Sequence, residues 1–164
     1  CLGGDDWFHY DVCEQIQSDP NDDIAVLKVR APKSNLRPIT VGTSAAIRVG
    51  QEVFAMGDPR GRMRHRITPG VVASIGGWQS HDYGTPIRCI DHSAPIYPGN
   101  SGGPLLDDEA RLVGMNTFSG AAGESSAIPV DTLRPVVEQL IRNAEARRFN
   151  ASSGQRPYAY GRWR

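Results

Sequence analysis

Pro98-Gly99-Asn100-Ser101-Gly102-Gly103-Pro104 sets one serine among three glycines and between two prolines. Glycine reaches backbone conformations closed to other residues, so such a run turns sharply and projects the Ser101 hydroxyl outward. The same turn points neighbouring N–H groups at one spot, which is the geometry needed to hold a developing oxyanion. A glycine-rich hairpin turn that happens to contain serine is the plainer reading of these letters. They also satisfy G-x-S-x-G, the nucleophile elbow of α/β-hydrolases, which needs a strand before the serine, a helix after it and a histidine further on. Pro104 follows at once, Leu105 and Leu106 lead into another strand, and no histidine occurs after His92. The elbow reading fails.

The chain around this loop reads as all-β. Short runs rich in β-branched residues and broken by Gly, Pro or Asn occur at 24–29, 39–41, 52–56, 71–75, 86–90, 112–117 and 126–130. Such spacing suits a β-barrel or sandwich better than βαβ units. One segment has helical periodicity: Leu133, Val136, Val137, Leu140, Ile141 and Ala144 recur at three- and four-residue steps. Asp131 stands before them as an N-cap, and Pro135 falls in the first turn, where its lost N–H would be unpaired anyway. Residues 149–164 have no period and read as a tail.

With 164 residues, the chain has one domain's worth of core. Moderate apolar content, 39%, excludes a disordered chain, and 18 glycines without a fixed period exclude a collagenous one. No stretch approaches the roughly 20 apolar residues that cross a bilayer as a helix, and no targeting peptide is readable before residue 20. Cys1, Cys13 and Cys89 are too few and too scattered for a metal cluster or a disulfide framework; one disulfide with a thiol, and three buried thiols, both fit. Charge balances in sum, 18 against 18, but not along the chain. Residues 1–23 hold seven acids and no Lys or Arg, residues 58–66 hold four arginines, and the last twenty residues hold five. Solvated loops and tails explain such runs. A basic tail is also suited to docking on an acidic partner. Nucleic acid is not expected as a partner, since pI is near 7 and no folded nucleic-acid motif occurs.

A second segment supplies an acid. In Asn21-Asp22-Asp23-Ile24-Ala25-Val26-Leu27, an aspartate opens directly into an apolar strand, where a carboxylate can orient an imidazole. Taken alone it is an ordinary turn residue. Paired with Gly99-Asn100-Ser101-Gly102-Gly103-Pro104, 78 residues from Asp23 to Ser101, it resembles the trypsin-like serine proteases, and within them the HtrA/Deg family. Arg48-Val49-Gly50-Gln51-Glu52-Val53-Phe54-Ala55-Met56-Gly57-Asp58-Pro59 and Thr68-Pro69-Gly70-Val71-Val72-Ala73-Ser74 fit the same family. So do Leu112-Val113-Gly114-Met115-Asn116-Thr117 and Ala127-Ile128-Pro129-Val130-Asp131.

The resemblance implies a trypsin-like double β-barrel. Residues 1–45 would give part of an N-terminal barrel, 46–130 a complete C-terminal barrel, 131–148 a helix and 149–164 a basic tail. It implies a serine endopeptidase acting on unfolded or damaged proteins, without metal or organic cofactor, in periplasm, chloroplast or mitochondrion. Such proteins often form homo-oligomers or larger assemblies. Carried over by position, Ser101 is the nucleophile and Asp23 the orienting acid. Gly99, Asn100 and Ser101 form the oxyanion hole, and Ile96, Thr117, Phe118 and Ser119 line the primary pocket. No acid at those pocket positions favours Lys or Arg. Phe118 is larger than the family usually places there, and Ser93 and Tyr97 replace an acidic and an amide residue.

The imidazole is the departure. The family's histidine lies well upstream of its acid, and the only histidine before Asp23 is His9, fourteen residues away in the strand-like Trp7-Phe8-His9-Tyr10. His65 and His81 fall in loops, and His92 stands nine residues before Ser101 at a non-catalytic position. None has the context of a base. The alternative to an enzyme is a catalytically inactive protease-fold subunit that binds proteins within a larger assembly.

Overall fold

The computed structural model describes residues 11–19, 23–30, 37–58, 66–79, 86–119 and 124–152. Two strands, β1 (Asp11–Asp19) and β2 (Ile24–Arg30), form an antiparallel pair of their own. Six more close a barrel: β3 (Glu52–Gly57), β4 (Arg66–Gln79), β5 (Ile87–His92), β6 (Pro104–Leu106), β7 (Leu112–Ser119) and β8 (Ser125–Pro129). Their order around it is β3-β4-β5-β8-β7-β6, with β6 returning to β3. One helix, α1 (Val130–Ser152), follows, and none of the described helices is long and apolar enough to cross a membrane.

Side chains of alternate residues fill the barrel, as the two-residue period of a strand requires. Val53 and Ala55 of β3, Val72 of β4, Ile90 of β5, Leu105 of β6, Val113 of β7 and Ala127 of β8 pack together, closed by Ile47, Ala94 and Ile96. A second cluster lies outside the barrel wall, where Leu133 and Leu140 of α1 meet Ile87, Cys89, Ile128 and Ile24 of β2. Val26, Met115, Val136 and Val137 pack against its edge. This cluster joins the β1–β2 pair to the barrel through α1, and so fixes where the turn at Asp23 stands.

Strand β4 is far longer than residues 71–75, the run its sequence suggests, because residues that usually stop a strand are accommodated here. At Pro69 the strand has β3 on one side only, since pairing with β5 starts at Val72, so the missing N–H breaks no ladder. Gly70 is required by space: a Cβ there would lie 2.1 Å from the Ala94 nitrogen. Residues 39–41 form no strand and give only an isolated parallel bridge, Val41 to Leu112.

The helix also departs from expectation at its start. It begins at Val130, so Asp131 lies in the first turn instead of capping it. The Asp131 carboxylate accepts hydrogen bonds from the Thr43 and Ser44 hydroxyls and the Ala45 N–H, while the Asp131 N–H donates to Ser44 Oγ. The Thr43 hydroxyl first, then Ser44 and the Ala45 N–H, holds the Asp131 carboxyl below its usual range against the opposing effect of burial. The cap is therefore supplied from residues 43–45, which are pinned to the helix in exchange. At the far end α1 runs to Ser152, four residues past the expected boundary. The rest of the tail, with His9, His65, His81 and Cys1, lies outside the described residues.

Candidate active site

The loop carrying Ser101 leaves β5 and returns as β6. Its shape follows from its sequence. The Asn100 N–H donates to the Tyr97 carbonyl, closing a four-residue turn with Pro98 and Gly99 at its centre. Gly99 has φ 103°, which no proline could share and few residues but glycine adopt. Pro at the second position and a positive φ at the third define a type II turn. Gly102, at φ 82°, bends the chain back, and its N–H donates to the Asn116 carbonyl. Gly103 N–H then donates to the Asn100 carbonyl. Gly103 has no room for a side chain, because a Cβ would meet the Met56 carbonyl at 2.1 Å.

This pattern consumes three of the five amides from Gly99 to Gly103. The N–H groups of Asn100, Gly102 and Gly103 all point inward to carbonyls, while those of Gly99 and Ser101 make no hydrogen bond among the described residues. Two unspent donors thus lie beside the Ser101 hydroxyl on an exposed loop, an arrangement that could hold an oxyanion. Asn100 spaces these donors and contributes none of its own backbone. Its side chain is buried beside Gly57, with neither amide atom partnered among the described residues.

Asp23 caps the start of β2 at φ 53°, a left-handed conformation that aspartate tolerates better than most residues. The structure brings it to the serine through one residue of β7. Thr117 Oγ1 donates to Asp23 Oδ2 at 3.2 Å, and the Thr117 carbonyl accepts the Ser101 hydroxyl at 3.2 Å. Asp23 and Ser101, 78 positions apart in sequence, therefore touch the same residue. From sequence Thr117 is a pocket residue. Its side chain also donates to Asp23, a contact that the pocket position alone does not disclose.

Of the other expected pocket residues, Ile96 is buried within the barrel core and can contribute only a floor. Phe118 is exposed on β7, as is Tyr97 at the head of the loop. Ser119 ends β7, paired with Ser125. Strand β6 pairs with β7 only as far as Met115, so residues 117–119 have β8 on one side and no described strand on the other.

No histidine among the described residues reaches this cleft. His92 is wholly buried in the barrel, and burial pushes its pKa down to about 4, against smaller opposing effects of the Ala94 backbone, Asp91 and Asn116. Cys89 is likewise buried and unpaired, its thiol pushed up to about 11 by burial and then by Asp91, so it is no nucleophile. Nor do three His, Cys, Asp or Glu side chains gather into a metal site among the described residues.

Known proteins match both the sequence and this arrangement. The family of trypsin-like peptidase domains matches residues 8–115. Protease Do-like 1, chloroplastic, of Arabidopsis thaliana is 48% identical over 131 residues, covering 76% of this chain and 30% of that protein. Serine protease PepD of Mycobacterium tuberculosis is 35% identical over 148 residues, 80% of this chain and 32% of its own length. A probable periplasmic serine endoprotease, DegP-like, of Halomonas elongata is 36% identical, covering 82% of this chain and 28% of the relative. Among solved structures, the HtrA-type protease AlgW with a decapeptide superimposes with a TM-score of 0.72 at 33% identity, over 80% of this chain and 41% of that one. The chain spans roughly a third of the length of these curated relatives. With a closed six-stranded barrel, a glycine-hinged serine and an aspartate tied to it through Thr117, it belongs to the trypsin-like peptidase domain family, on the HtrA/Deg branch.

Proposed function

We propose that the protein is a serine endopeptidase that cleaves unfolded or damaged polypeptides through an acyl-enzyme on Ser101. The observation that carries this reading is the convergence of Asp23 and Ser101 on Thr117, beside two unspent amides. Ser101 Oγ attacks the scissile carbonyl, and its proton passes to an imidazole, which the family resemblance places upstream of Asp23. Asp23 steadies the resulting cation, held in aim by the Thr117 hydroxyl. The Gly99 and Ser101 N–H groups hold the oxyanion; one such donor is worth about 3–4 kcal/mol in the transition state. The imidazolium returns its proton to the leaving amine, and water repeats the sequence to release the acid.

The edge of β7 at residues 117–119 supports an unfolded substrate. An extended segment can add to that edge only if its own backbone is not already paired, which excludes most folded chains. With Ile96 below and no acid at 96 or 117–119, the adjoining pocket suits an apolar side chain. By likeness to its chloroplastic and periplasmic relatives, the protein would work in an organelle or periplasm. Homo-oligomers belong to the same reading. The test is digestion of a permanently unfolded protein by the chain and by its Ser101→Ala variant. Fragments with the first and none with the second support the proposal. Retained binding without cleavage would instead make the chain a non-catalytic subunit, and equal cleavage by both would place the chemistry elsewhere.

A further inference from the structure

Behind the nucleophile loop, Asn116 is fully buried in β7 and makes three hydrogen bonds to the residues directly after Ser101. Its carbonyl accepts the Gly102 N–H, its N–H donates to the Gly103 carbonyl, and its side-chain Nδ2 donates to the Pro104 carbonyl at 3.1 Å. Residues 102, 103 and 104 are thus clamped in sequence by one residue. The side-chain bond requires the amide to keep one orientation, with Oδ1 facing away from Pro104. That Oδ1 is buried and has no partner in full hydrogen-bond geometry among the described residues.

His92 lies on the same inner side of the barrel. It belongs to β5 and pairs with Ser125 of β8, while Asn116 pairs with Ala127 of the same strand. The ring is 1% exposed, and neither of its nitrogens is fully partnered either. It nonetheless stands close enough to the Asn116 side chain and to the Ala94 backbone for both to favour its protonated form. A neutral imidazole carries one N–H donor, and Asn116 Oδ1 is an acceptor without a donor. Buried polar groups left unpaired cost about 1–3 kcal/mol each, so two complementary ones side by side close on each other directly or across one buried water.

We infer that His92 is a positioning residue for the nucleophile: its ring N–H holds Asn116 Oδ1, and the oriented Asn116 side chain holds the loop after Ser101. Loss of the imidazole frees the Asn116 amide to turn, releases the Pro104 carbonyl and loosens residues 102–104. The inference rests on Ser101 as nucleophile for its functional meaning, but its structural half is tested without cleavage.

Amide hydrogen exchange on the whole chain compares His92→Phe, which keeps a ring and removes both nitrogens, with His92→Gln, which keeps a donor. The expected result for His92→Phe is faster exchange at Gly102 and Asn116 by about tenfold, the scale of one hydrogen bond. The Val72 amide, bonded to the Gln51 carbonyl, should stay as in the parent. His92→Gln should restore most of the protection. In an active preparation, kcat should fall with little change in KM. Equal acceleration at Gly102, Asn116 and Val72 would make His92 an ordinary core residue and overturn the inference, as would no change at any of them. If His92→Phe does not fold, the nitrogen-15 spectrum of the parent ring decides: a single neutral tautomer with one slowly exchanging N–H supports the bond, and a mixture of tautomers in fast exchange overturns it. Should exchange respond as expected while Ser101→Ala still cleaves, the clamp stands and the assignment of the nucleophile fails.

Discussion

Gly57→Ala should damage catalysis out of proportion to its size. Gly57 ends β3 against the back of the nucleophile loop, and a Cβ at that position would lie 2.6 Å from Asn100 Cα, 2.6 Å from its Oδ1 and 2.8 Å from its Cγ. The side-chain atoms could rotate away, but the Cα belongs to the loop backbone between the two unspent amides. Carbon atoms rest at about 3.5–4.0 Å, so the loop has to give by roughly 0.9 Å or more. A misplacement near 1 Å at a reacting centre costs about a hundredfold in rate, because oxyanion donors act over a few tenths of an ångström. The global cost is that of overpacking, about 1–3 kcal/mol. Gly50→Ala is the matched control: Gly50 has φ 83° and nothing within 4 Å of its would-be Cβ, so alanine there strains the backbone by about 1–2 kcal/mol without touching the loop. The assay is peptide cleavage with thermal midpoints measured in parallel. Both variants should melt lower, and only Gly57→Ala should lose about a hundredfold in kcat. Equal kcat in the two would refute the idea that β3 sets the loop's position.

Two further outcomes follow from the site. Thr117→Val keeps the shape and removes the donor to Asp23; kcat should fall about tenfold with a stability change near 1 kcal/mol, and an unchanged kcat would show that the hydroxyl does not steady the acid. Stability should also fall on mild acidification because of His92. Its folded pKa of about 4 lies below the ordinary histidine value of 6.5, so the unfolded chain binds the extra proton between those values. The contribution is complete above pH 6.5 and is lost as pH falls toward 4, by about 3 kcal/mol in all. Asp107 and Asp131 are held below the usual carboxylate range, so their contributions disappear only at lower pH. Urea unfolding across the window should show the slope in the parent and lack it in His92→Gln.

The parts of this structure legible in the sequence are those fixed locally. Residues 52–56 alternate inward and outward just as a barrel strand must, and the glycines around Ser101 admit few conformations other than the observed turn. What escaped the sequence depends on distant partners. Residues 11–19 fall in the acidic run and in the expected partial barrel, but no local pattern gives their bounds; those are set by pairing with β2, from Asp11 with Arg30 to Asp19 with Ile24, with two register shifts on the way. Residues 39–41 are as β-branched as any strand but find only one bridge, at Leu112. The pairing of Asp23 with Thr117 needs α1 and the second core cluster to bring β2 against the barrel, and no local pattern encodes that. His92 looks like any histidine in an apolar run until the barrel closes over it.

The proposed chemistry rests on a single hydroxyl, and a fluorophosphonate interrogates it directly. Labelling the intact protein, followed by peptide mapping, should give one adduct, on Ser101, absent from Ser101→Ala and weakened in Thr117→Val. No adduct under conditions that label an active HtrA-type protease, or an adduct on any other residue, would contradict the assignment of this cleft.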